Sequence, residues 1–182
     1  MSAMKFIIFF SIFLSTLTNV TAQSKSVKQT ISGIDSATTG KPSPITSLSL
    51  KEYKAYEKGE PMGMTNVAEV NNYPAPAQAL AFEKGLKLNV TQKQQLQEAV
   101  QALDFKAKEM GRFILQHEKK LNELFSSGKA NEGSLIYYCN QIGLYQGELR
   151  NAHLQAHLKA RRILTQDQLK KYSRLILGSN KG

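Results

Sequence analysis

The chain holds a single cysteine, Cys139, in 182 residues. No intrachain disulfide can form, so stability must come from apolar burial, an oligomer or a bound ion. Tryptophan is absent, which leaves Tyr53, Tyr56, Tyr73, Tyr137, Tyr138, Tyr145 and Tyr172 as the amphipathic packing residues for surfaces and joints. Acids are scarce, 14 against 24 lysines and arginines, for a formal charge of +10. There is no glycine-rich phosphate loop, no Gly-x-Ser-x-Gly elbow and no His-Glu-x-x-His helix. The chemistries that need those motifs are excluded, and the chain reads as a non-enzyme. Nor does any apolar run reach the roughly 20 residues that a membrane span requires.

What is present begins with "MSAMKFIIFFSIFLSTLTNVTAQ": a cation at Lys5, an apolar run from Phe6 to Leu14, and Val20-Thr21-Ala22 as the small-residue pattern before a cleavage point. This predicts a signal peptide over residues 1–22, cut after Ala22, and an exported mature chain with no transmembrane span. Residues 23–50 are rich in Ser and Thr and contain no aromatic residue; they read as a disordered leader, with too little apolar surface to offset ordering entropy. Residues 51–73 read as an irregular segment with a short helix, and residues 74–178 as one helical domain. In an exporting context Cys139 is either a small buried hydrophobe, an intermolecular bridge or a metal ligand.

Two heptad seams organise the domain. Leu96, Val100, Leu103, Ala107, Met110, Ile114, His117, Leu121 and Leu124 recur in steps of four and three without an intervening proline, which predicts a helix of about 36 residues, about 54 Å long. Gly128 to Gly133 breaks it. Leu135, Cys139, Ile142, Gln146, Leu149, His153, Ala156, Ala160 and Ile163 form the second seam. Matched lengths and a short connection predict an all-α fold built on a long antiparallel helical hairpin. The flanking "APAQALAFEKGLKL" and "QDQLKKYSRLIL" supply shorter amphipathic helices.

Two similar stretches, "VTQKQ" from Val90 and "LTQDQ" from Leu164, read as capping boxes: Thr91 with Gln94, and Thr165 with Gln168. In each, the threonine hydroxyl accepts from a backbone N–H three residues on while the glutamine reaches back. Leu164 and Leu169 stand where a hydrophobic staple would lie. The paired boxes, the hairpin between them and the closing "ILTQDQLKKYSRL" resemble the Spy/CpxP family of periplasmic proteins, whose signature is a repeated LTxxQ. "GEPMGMTNVAEVNNYPAPAQAL" and "GELRNAHLQAHL" resemble related periplasmic heavy-metal sensor or resistance proteins. The resemblance covers residues 59–177. It implies a small four-helix protein, often a curved dimer, acting without ATP or any required cofactor as a chaperone for unfolded envelope proteins, or as a stress or metal sensor.

Residues for either role can be named. Arg150, Lys159, Arg161, Arg162 and Arg174 belong to a C-terminal stretch whose only acid is Asp167, and they are the candidates to steer clients. An exported chain argues against nucleic acid as the partner of this charge; a solvated face that keeps the protein soluble is the other reading. His153 and His157, four residues apart on one helical face, are candidates for zinc, nickel or cobalt. The related nickel and cobalt sensors add a second His-x-x-x-His from their first helix; the matching region here, Gln78 to Phe82, has none. A core histidine at His153 is the competing reading. If facing residues sum to about 260, His117 faces Gly143 near Cys139, well away from His157. Met62 and Met64 in "PMGM" offer thioethers to Cu(I), or simply apolar contact.

Overall fold

A computed structural model describes residues 42–179. They form seven helices and no strand: α1 (Leu50–Lys58), α2 (Asn66–Glu69), α3 (Pro76–Ala81), α4 (Glu83–Leu86), α5 (Val90–Ser126), α6 (Glu132–Ile163) and α7 (Gln166–Ser179). The fold is all-helical, as the seams predict. The expected signal peptide and most of the expected leader lie outside the described residues.

The helix α5 runs for 37 residues and α6 for 32, and the two make the most extensive packing in the molecule. Gly128, in the left-handed region at φ 69°, closes the end of α5. Asn131 then opens α6 by accepting from the Ser134 N–H at 2.9 Å. At one end Gln92, in the first turn of α5, donates to the carbonyl of Ile163, the last residue of α6, at 2.9 Å. Farther along α5, Phe113 and His117 stack on Tyr145 of α6 with ring centroids 4.8 and 5.4 Å apart. The helices therefore run in opposite directions.

Burial divides into two clusters. One gathers Leu86, Leu88, Leu96, Ala160, Leu164, Leu169 and Tyr172 where α3, α4 and α7 meet the base of the long pair. The other joins Tyr56 of α1 to Ala107, Met110, Ile114, Ile142 and Leu149 at its middle. Backbone contact is close in the second. A Cβ on Gly111 would stand 1.9 Å from the Tyr56 carbonyl oxygen, so α1 can rest on α5 only where that side chain is missing. Gly59, at φ 66°, ends α1 in the left-handed conformation with no room for a Cβ against Ala107.

The predicted leader is corrected at its C-terminal end. Ile45 is buried, Thr46 and Ser47 hydrogen-bond Asn122 and Glu118 of α5, and Ser49 caps α1. Residues 44–47 thus lie along α5: one well-placed isoleucine and hydroxyls that find partners outweigh the polar composition of the stretch.

Candidate functional site

The helix starts come first, because they hold the base of the pair. Thr165 and Gln168 form the expected box: Gln168 N–H donates to Thr165 Oγ1 at 3.3 Å and Thr165 N–H donates to Gln168 Oε1 at 2.9 Å. The first box is corrected. Asn89, not Thr91, is the cap of α5, and its partner is Gln92, not Gln94. The helix begins two residues earlier, leaving Thr91 exposed and Gln94 paired with Glu98. The true repeat is Leu88-Asn-x-x-Gln92 and Leu164-Thr-x-x-Gln168, with both leucines buried in the same cluster.

The two box glutamines then meet. Gln92 Nε2 donates to Gln168 Oε1 at 2.8 Å and Gln168 Nε2 returns a bond to Gln92 Oε1 at 3.0 Å; their remaining N–H groups reach the carbonyls of Ile163 and Leu86. Each side-chain amide caps its own helix and ties it to the other. The paired motif is thus a structural clasp.

His153 and His157 are both buried on α6. His153 Nε2 meets the Gly59 carbonyl at 2.8 Å and His157 Nδ1 meets the Tyr73 carbonyl at 2.7 Å. A ring nitrogen facing a carbonyl must carry the proton, so the two rings adopt opposite tautomers. Burial, and secondarily the neighbouring His157, holds the His153 pKa below the usual imidazole value, against the Gly59 bond, which favours the charged form. Each ring keeps one nitrogen, so together they supply two ligands, short of the three or four protein ligands of zinc sites. Among the described residues no group of three or more His, Cys, Asp or Glu side chains could complete the set. His117 is elsewhere, stacked on Tyr145 beside Tyr137 and Tyr138, with a buried Nδ1 that has no hydrogen-bond partner.

Cys139 is exposed, which overturns its reading as a buried hydrophobe. It lies two helical turns from Gln146, the residue that hydrogen-bonds the Tyr56 hydroxyl of α1.

The five candidate cations do not share one surface. Lys159 and Arg162 join Lys106 at the rim of a groove of about 430 Å³ between α5 and α6, floored by Ala99, Ala102, Leu103, Ala152 and Ala156. Arg161 turns the other way, donating to the Asn72 carbonyl at 2.8 Å with its guanidinium 4.4 Å from the Tyr73 ring centre. Arg150, nine residues before Lys159, projects from the opposite side of α6 at about 100° per residue, and Arg174 is exposed on α7. Sequence reasoning missed a second cationic line: Lys108, Arg112 and Lys119 of α5 border a groove with Ile45, Tyr53 and Leu115. Their spacing of four and seven residues was the available signal.

Large apolar side chains are exposed on the half of the pair away from α7: Phe125 (60%), Leu135 (41%), Ile136 (63%), Tyr137 (53%) and Leu144 (54%). Among the described residues no third helix covers this stretch; α3, α4 and α7 pack at the base and α1 at the middle. No helix among the described residues is long and apolar enough to cross a membrane. No family model, curated protein or solved structure matches the chain.

Proposed function

We infer that the protein is an ATP-independent binder of non-native polypeptides, a chaperone of the Spy/CpxP type, exported to the periplasm and working as a dimer. One observation carries this reading: the apolar side chains exposed at the end of the α5–α6 pair that no described helix covers. Soluble monomers seldom leave large contiguous apolar areas open without a use for them. Lysines and arginines along both helices supply the long-range attraction that draws in acidic or partly unfolded chains before apolar contact. In this reading α3–α4 and α7 are the flanking helices of the four-helix arrangement, and the clasp of Gln92 and Gln168 keeps the pair rigid while its far end binds.

The test is suppression of aggregation of a reduced, denatured client by the chain freed of residues 1–22, at low and high salt. Ile136→Ser combined with Leu144→Ser, both at exposed positions, should abolish suppression and leave the melting temperature nearly unchanged. Equal suppression by the variant and the parent would end the proposal.

A metal-binding sensor or resistance role is the second reading. It draws support from the carbonyl bonds that fix the tautomers of His153 and His157, as second-shell partners do for metal ligands. It requires further ligands, from a partner copy or from outside the described residues. Calorimetric titration with Zn(II), Ni(II) and Co(II), repeated after replacing both histidines by alanine, decides it: no binding, or binding that survives the replacement, removes it.

A further inference from the structure

The grooves described so far carry an excess of cations, Lys106, Lys159 and Arg162 against Glu148 at one and Lys108, Arg112 and Lys119 against Glu57 at the other. A third cavity, of about 610 Å³, lies where α2, α3 and α7 meet, and it inverts the pattern. No lysine or arginine lines it. In a chain of net charge +10, its single charged lining residue is Glu69.

The walls are built and held. Tyr172 on α7 donates to Gln78 Oε1 on α3 at 2.6 Å, and Ser173 donates to Asn72 Oδ1 at 2.9 Å, so two hydrogen bonds fix α7 against the opposite wall. The ring of Phe82 meets that of Tyr172 edge to face, centroids 6.1 Å apart. Val70 (76% exposed) and Leu177 (65%), with Phe82, supply apolar surface in a lining that is also polar, through Asn72, Gln78 and Ser173. Small-molecule sites occupy about 300–1,000 Å³ and hold polar groups in fixed positions beside apolar surface; this cavity has that volume and those fixed groups, with a more polar lining than most.

The carboxylate is held as well. Glu69 Oε1 accepts from the hydroxyl of Thr65, itself buried, at 2.7 Å. No described lysine, arginine or histidine pairs with Glu69, which leaves a fixed negative charge at the edge of an apolar surface. A cation beside aromatic rings gains further attraction from their faces.

We propose that this cavity binds a small organic cation, an ammonium or guanidinium compound with an apolar body, whose charge is met by Glu69 and whose body lies on Val70, Phe82 and Leu177. The site is separate from the uncovered end of the long helix pair, so it stands whether or not that end captures polypeptides.

The test is an NMR titration of the full chain with benzylamine, benzyl alcohol and benzoate, three probes of one shape and three charges. Benzylamine should bind saturably, shifting the amides of Val70, Phe82 and Ile176, roughly threefold to tenfold tighter than benzyl alcohol, with benzoate weaker than both. Glu69→Gln should bring benzylamine to the level of the alcohol and leave the alcohol unchanged. Val70→Lys, at an exposed position that tolerates the change, should exclude the amine by placing an ammonium beside Glu69; melting curves confirm that both variants fold. Absence of binding, equal affinity for amine and alcohol, indifference to Glu69→Gln, or shifts confined to another surface would each overturn the proposal.

Discussion

At the scale of single residues, the glycines on the long helices divide by what surrounds them. Gly111 is pressed against the Tyr56 carbonyl, whereas Gly143 and Gly147 have nothing within 4 Å of where a Cβ would be. Gly111→Ala should therefore cost about 1–3 kcal/mol, because α1 must lift from α5. Gly143→Ala should stabilise by about 0.5–1 kcal/mol, since alanine restricts the unfolded chain and fits the helix. Denaturant titration of both variants checks the opposite signs. The capping residues separate in the same way. Gln92→Ala removes a cap and leaves the Ile163 carbonyl and part of Gln168 without partners, at a cost of about 1–3 kcal/mol. Thr91→Ala, at an exposed hydroxyl on the second residue of α5, should change stability by less than about 0.5 kcal/mol. If Thr91 were the cap, the order would be reversed.

At the scale of elements, α6 holds the N-terminal layer through two imidazoles. His153 anchors the end of α1 at Gly59 and His157 the turn before α3 at Tyr73. Burial keeps the His153 pKa below the ordinary value of 6.5, so the unfolded chain takes up this proton at a higher pH than the folded one. Stability from this group is whole above the ordinary value, falls as pH drops through it, and levels off below the folded pKa. Thermal or urea unfolding followed from about pH 7 to about pH 5 should show that decline, and His153→Gln should flatten it. The hydrogen exchange of α1 should rise over the same interval before that of the α5–α6 middle, because its C-terminal end is what the His153 imidazole restrains.

At the scale of the whole molecule, the long pair is unevenly clothed: further helices cover its base and middle, whereas among the described residues only the short segment around Ile45, Thr46 and Ser47 joins α5 and α6 in the far half. Capture of a non-native chain by that half should combine apolar contact with attraction to Lys and Arg. Encounter rates with an acidic client should therefore fall as salt rises through the range where the Debye length contracts from about 30 Å to about 8 Å. Stopped-flow binding at several ionic strengths measures this. Rates indifferent to salt would leave the cations as a solvated surface.

The sequence by itself determined the helices, because the information is local: steps of four and three mark a buried stripe, glycine and a polar run mark an end, and a Leu-Thr-x-x-Gln marks a start. From these, the two long helices and the Thr165–Gln168 box were legible to within a few residues. Only the tertiary structure decided that Asn89 rather than Thr91 caps α5, since neighbouring polar residues offer nearly equal caps and Gln92 is chosen by its meeting with Gln168. Which cations gather, which histidine nitrogens are engaged, and why Cys139 and Ile136 face outward were decided there too. The cations gather by how α5 faces α6, and the histidine bonds depend on where the N-terminal layer meets the pair, which the contacts of Tyr56, Gly59 and Gly111 set across the fold rather than any pattern along the chain.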